Sequence, residues 1–175
     1  MSTGPRYRVH FRRRREGKTD YRVRLRLLKS GGSRAVVRCS GRRVRVSIVN
    51  FDPLGDRVVA HADSSELGGI EFPASSLAST PAAYLTGYLA GLRAKGAGTS
   101  DAVLDVGLRR PTRGGRLAAA LKGLLDSGLH VPHGEEGFPT NDRINGAHLP
   151  HPLPHPVEAY KQKLPGLVPR REATA

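Results

Sequence analysis

The chain has 175 residues, enough for one domain with its own hydrophobic core and flanking segments, and its single cysteine, Cys39, excludes a disulfide framework or a Cys-based zinc site within one chain. Its formal net charge is +14 with no Trp and few aromatics, the footprint of a polyanion binder, so nucleic acid or an anionic membrane surface is the expected partner class. No apolar run is long enough for a secretory leader or a membrane span, so neither is expected, and a reduced cytosolic setting is.

The charge is unevenly placed. Residues 1–45 hold 16 of the 29 Lys and Arg but only two acids, Glu16 and Asp20, so the remainder of the chain is electrically neutral and the binding end is N-terminal.

In chain order, residues 1–20 read as a basic arm. Arg, Gly and Lys with scattered Tyr7, Val9 and Phe11 cannot bury enough apolar surface to offset ordering, and the run Arg12–Arg15 repels itself until phosphate neutralises it. The arm is expected to be disordered when free. Residues 21–131 read as an α/β domain. Strict alternation in Arg22-Val23-Arg24-Leu25-Arg26-Leu27 and in Arg43-Val44-Arg45-Val46-Ser47-Ile48 predicts two strands with one basic face. Arg34–Cys39 predicts a strand between them, closed by a tight turn at Ser40-Gly41, and a fourth strand near 57–62 completes an antiparallel meander.

Beyond Pro73 the period becomes helical. Ser79 or Thr80 reads as N-cap with Pro81 at the first helical position, and Tyr84, Leu85, Tyr88, Leu89 and Leu92 form a stripe ended by Gly96 and Gly98. The apolar run 101–108 predicts a buried strand reached by that helix as a crossover, and a second helix follows over about 115–127, with Gly128 at its C-terminal cap. The fold class is therefore α/β, a mixed, mainly antiparallel sheet packed with helices. Residues 132–175 are proline-rich and predict an extended tail lying on a partner.

Five groups of residues invite a chemical reading. Arg22, Arg24 and Arg26 with Arg38, Arg43 and Arg45 would make a single-sign basic sheet face, since no acid lies between Tyr21 and Phe51; the bland reading is an ordinary solvated face. Tyr7 and Tyr21 amid the arm's bases suggest stacking on nucleobases, or packing on the domain. The loop carrying Arg109, Arg110, Arg113 and Arg116 opens a helix, where four cations oppose the helix dipole unless an anion sits there; it lacks the pattern of a nucleotide-binding P-loop, and an exposed basic turn is the alternative. Asp63, Glu66, Asp101 and Asp105 could hold metal ions of a nuclease, or simply cap and pair with arginine. His148, His151 and His155 lie on an extended proline chain that does not converge three ligands in advance. No assembled catalytic set is present, and no cofactor, metal or small-molecule substrate is expected.

A series of motifs resembles one family. Gly4-Pro5-Arg6-Tyr7, Arg12–Arg15 with Glu16, Lys18-Thr19-Asp20-Tyr21 and Arg24-Leu25-Arg26-Leu27-Leu28-Lys29-Ser30 are followed by Pro81-Ala82-Ala83-Tyr84-Leu85-Thr86-Gly87, Ala90-Gly91-Leu92-Arg93-Ala94 and Ala102–Leu108. Gly128-Leu129, Val131-Pro132-His133 and Arg143–His148 complete the order over about residues 4–149. Together they resemble the archaeal and eukaryotic branch of the large-subunit ribosomal protein L-eighteen, called L-five in eukaryotes. The resemblance implies 5S ribosomal RNA as main ligand, with large-subunit rRNA and neighbouring proteins of the central protuberance as further partners, and no enzyme activity. It implies contacts by the arm and the arginine-bearing segments. Charge and resemblance jointly nominate Arg6, Tyr7, Arg8, Arg12, Arg13, Arg14, Arg15, Lys18, Tyr21, Arg22, Arg24, Arg26, Lys29, Arg38, Arg43, Arg45, Arg109, Arg110, Arg113 and Arg116. The sequence departs from the family at its C-terminus, where a His/Pro stretch precedes Arg170-Arg171-Glu172. A general RNA chaperone and, further off, a metal-dependent nuclease are the alternatives.

Overall fold

The computed structural model describes residues 4–134 and 137–168; the C-terminal Arg170-Arg171-Glu172 lies outside them. Three consecutive strands, β1 (Arg34–Cys39), β2 (Val44–Asn50) and β3 (Arg57–Asp63), form an antiparallel meander, and β4 (Val103–Asp105) pairs in parallel with β1 to give the order β3-β2-β1-β4. The register sets Ala35 opposite Ile48 and Val37 opposite Val46, while Val46 and Ile48 face Ala62 and Ala60. All six are buried, so alternation puts one apolar face inward.

That face is covered by α3 (Thr80–Gly96), which crosses β2 and β3, and by α4 (Arg116–Asp126), which lies against β1. Ser79 caps α3 through Ala82 N, and Pro81 occupies the second helical position, one later than expected. From Thr80 to Gly87 every residue of α3 is buried, more than a single stripe, because the helix has the sheet on one side and α4 on another. The two helices touch backbone to backbone. A β-carbon at Gly87 would overlap the Ala120 carbonyl, and one at Gly123 would overlap the Tyr84 carbonyl. Only glycine permits this approach, with the α-hydrogens aimed at carbonyl oxygens.

Two expectations are corrected. Residues 22–27 are not a strand: α2 (Tyr21–Leu28) is a two-turn helix whose N-cap Asp20 accepts from Arg22 N and Val23 N. Arg and Leu are strong helix formers, and with that cap the local preference overrides the alternation. Within the arm, α1 (Arg12–Arg15) is one helical turn, with the Phe11 and Tyr21 rings 5.1 Å apart across its base.

The proline-rich C-terminal segment, finally, is only partly extended. After a single turn, α5 (Asn141–Ile144), comes α6 (Val157–Lys163), started by Pro156 in the capping position and continued by a 3-10 turn over Leu164–Leu167. Prolines 156 and 165 leave just enough proline-free chain between them for two helical turns. Val157, Tyr160 and Leu164 are buried in the common core, and the Tyr160 ring meets Phe72 edge-on at 5.2 Å. This part of the tail thus covers its own domain.

Candidate nucleic-acid interface

Residues that point away from α3 and α4 form the outer face of the sheet. The register places Arg38 opposite Arg45, Val36 opposite Ser47 and Arg34 opposite Val49, with Asp105 beside Val36 on β4. Over this face lies α2. Tyr21, Val23, Arg24 and Leu27 of α2, the outer residues of β1 and β2, and the loop after β4 enclose an open cleft of about 770 Å³.

An ion network ties the cleft together. Arg34, at 2% exposure the most buried charge in the core, donates from Nη2 to Asp56 Oδ2 at 2.6 Å and from Nη1 to Asp105 Oδ2 at 3.1 Å. Arg24 reaches both Asp56 oxygens from one nitrogen at 2.9 Å, and Arg38 Nη2 donates to Asp105 Oδ1 at 2.9 Å. Burial pushes the Asp56 carboxyl upward, but hydrogen bonds and charge from Arg24 and Arg34 outweigh it and hold its pKa below the ordinary carboxylate value. Three guanidinium groups share two carboxylates here, so the network stays cationic.

The nominated residues therefore fall into two groups. Arg6, Arg8, Arg14, Arg15, Arg22, Arg26, Lys29, Arg43, Arg109 and Arg110 are exposed and carry no ion pair among the described residues. Others are engaged within the protein: Arg12 and Lys18 share Glu16, Arg13 Nε donates to Thr19 Oγ1, and Arg45 Nε donates to Asp63 at 2.8 Å. Arg116 donates to the carbonyls of Ser40 and Ala78, bracing the β1–β2 turn, and Arg113 is exposed in the loop before α4. Tyr7 is half exposed, whereas Tyr21 packs on Phe11.

The single basic sheet face is thus replaced by several patches. Arg22, Arg24 and Arg26 sit on α2, leaving Arg38 and Arg45 on the sheet itself and Arg43 in the turn before β2. Sequence reasoning passed over Arg42, exposed in the same turn, and Arg57, exposed at the start of β3. It also missed the structural task of Arg34. Arg42 could have been found from the charge run alone, while Arg34 could not, because its partner Asp105 is 71 positions away.

The four carboxylates of the nuclease alternative do not converge. Asp63 caps the 3-10 helix Ser64–Ile70 and pairs with Arg45; Glu66 closes that capping box at Asp63 N and pairs with Arg93 at 2.6 Å. Asp101 faces His130, and Asp105 belongs to the network above. Among the described residues no group of three His, Cys, Asp or Glu is placed to hold a metal ion. His148, His151 and His155 are exposed, and burial with the nearby Arg143 charge lowers the pKa of His148. Burial pushes the Cys39 thiol up against the pull of Arg116 and Arg109, so it behaves as a small core residue. No described helix is long and apolar enough to cross a membrane.

Known proteins give this geometry its context. Residues 5–101 and 94–134 match the family model described as ribosomal large subunit proteins 60S L5 and 50S L18. The chain is 52% identical over 149 residues to the large ribosomal subunit protein uL18 of Korarchaeum cryptofilum, covering 85% of this chain and 76% of that one. It is 50% identical over 151 residues to its counterpart in Haloarcula marismortui, covering 85% and 79%. With uL18 of Methanoregula boonei it shares 44% identity over 175 residues, 100% of this chain and 95% of the relative. The match spans the arm, α2, the sheet and both long helices. The chain belongs to the large-subunit ribosomal protein family of 60S L5 and 50S L18, a non-enzymatic structural constituent of the cytoplasmic ribosome with rRNA and ribosomal proteins as its partners.

Proposed function

We propose that this protein binds 5S ribosomal RNA and helps to anchor it in the central protuberance, beside large-subunit rRNA and neighbouring proteins. The observation that carries the reading is the excess of unpaired, exposed arginine in the first 45 residues, displayed on α1, α2 and the β1–β2 turn. Arginine suits this task, because its planar fork contacts phosphate at two points and stacks on splayed bases. Arg6, Arg8, Arg14, Arg15, Arg22, Arg26, Lys29, Arg43, Arg109 and Arg110 are the proposed direct contacts, with Tyr7 beside them. Arg12, Arg13, Lys18, Arg45 and Arg113 join them at the rim. Arg24 and Arg116 act by holding the surface in shape, and Tyr21 by packing the arm onto α2.

Competition decides the matter. At about 150 mM salt, where non-specific electrostatic binding is weak, the purified protein is expected to retain 5S rRNA against an excess of transfer RNA. Equal displacement by both RNAs would leave only a general RNA chaperone.

A further inference from the structure

One arginine in the cleft beneath α2 has a geometry that suits more than phosphate. Arg38 is pinned along its outer edge: Nη1 donates to the carbonyls of Val37 at 2.9 Å and Asp105 at 2.7 Å, and Nη2 donates to Asp105 Oδ1 at 2.9 Å. Three of the five N–H donors, those of the end-on fork and the stem side of Nη1, are thus in use, while Nε–H and the second Nη2–H stay open along the side edge. One flat side of the guanidinium is closed as well. A β-carbon at Gly107 would lie 3.0 Å from Cζ and 3.2 and 3.3 Å from the terminal nitrogens, near-equal distances that place it above the plane and not beside it. Gly107 has φ +67°, and its lack of a side chain lets the backbone lie flat against the cation.

Even so, the Arg38 side chain is 46% exposed, and it lines the cleft. With the end-on fork bonded and one side covered, that exposure is shared by the opposite flat side, the Nε edge and the stem. Val36 continues the floor from there. An immobilised planar cation with one open side is a platform for another flat π system, and it is already ordered before the ligand arrives.

We propose that an unpaired base of the bound RNA stacks on the open side of Arg38, entering the cleft between α2 and the sheet. The proposal rests on the RNA-binding reading above and adds to it a nucleobase subsite. Stacking accepts any base, so Arg38 selects for a splayed-out nucleotide over a paired one and not for sequence.

The test separates stacking from charge. Arg38→Lys keeps the charge and removes the plane; it is expected to weaken 5S rRNA binding roughly tenfold, the scale of one base stack, with an unchanged salt dependence. Affinity equal to the starting protein would overturn the proposal. Because Arg38 also braces Asp105, the unmutated protein supplies an independent readout. On addition of 5S rRNA, the Arg38 Nε–H resonance is expected to move upfield in the ring current of a stacked base. A downfield move, as from a phosphate hydrogen bond, or no move at all, overturns it. Failure of the unmutated protein to prefer 5S rRNA over transfer RNA is a separate result, visible before any variant is made; it removes the parent reading and this subsite with it.

Discussion

Asp56 stands where two demands on arginine meet. It holds Arg24 of α2 on one side and the buried Arg34 of β1 on the other, so its charge both anchors a surface helix and neutralises a cation that has almost no access to water. Breaking such a group leaves a buried charge short of a partner. Asp56→Asn is expected to lower stability at pH 7 by roughly 1–2 kcal/mol, since Asp105 still serves Arg34 and part of Asp56 is solvated. The acid limb of the stability curve gives a second readout. Asp56, Asp63 and Glu66 all have folded-state pKa values below their ordinary ones: burial raises each, and hydrogen bonds from Arg24 and Arg34, from Ser65 and Arg45, and from Arg93 respectively pull harder the other way. Their stabilisation is complete above the ordinary carboxylate range and fades as pH falls below about 4 through the lower folded values. Thermal melts between pH 7 and 3 should show a shallower acid decline for Asp56→Asn; an identical curve would mean that Asp56 ties nothing. Here the sequence was least legible. Alternation marked Arg24, Arg38 and Arg45 as one external face, but nothing local to Arg34, Asp56 and Asp105 announces that the three meet.

At the scale of elements, α3 and α4 meet backbone to backbone at glycine. Gly123→Ala must part α3 from α4 or bend one of them, and overpacking of this kind costs about 1–3 kcal/mol. A fall in melting temperature with the fold retained is expected; an unchanged melt would show that the helices already sit farther apart. The two helices, the three meander strands and the parallel strand after the crossover were all legible, because period 3.6 and period 2 are both enforced by one shared core. Two elements misled. In α2 the alternation of Arg with Val and Leu has the strand period, yet the element buries no residue, so no core face enforces that period and the Asp20 cap decides. In α6 the density of proline concealed how well Pro156 begins a helix. The basic site was legible as a region and not as a surface, for the same reason: charge density is a sum, and its display depends on α2.

Across the whole molecule, the sheet separates two halves of unlike character. On its inner side are α3, α4 and the apolar core; on its outer side and margins are α1, α2 and the exposed arginines. Counterion release makes such a layout measurable. Replacing Arg12 to Arg15 with Gln should flatten the log–log salt dependence of 5S rRNA binding by about 0.7–0.9 for each phosphate that is no longer neutralised. An unchanged slope would take α1 out of the interface. The place of α6 in the core adds a dimension of time. Val157, Tyr160 and Leu164 close the apolar side, and they leave the synthesising ribosome more than a hundred residues after the basic segment that ends at Arg45. At ordinary rates of translation that interval is on the order of ten seconds. Throughout it the nascent chain presents its full positive charge while its core still lacks the last wall, so the chain is ready for a polyanion before it is finished as a domain.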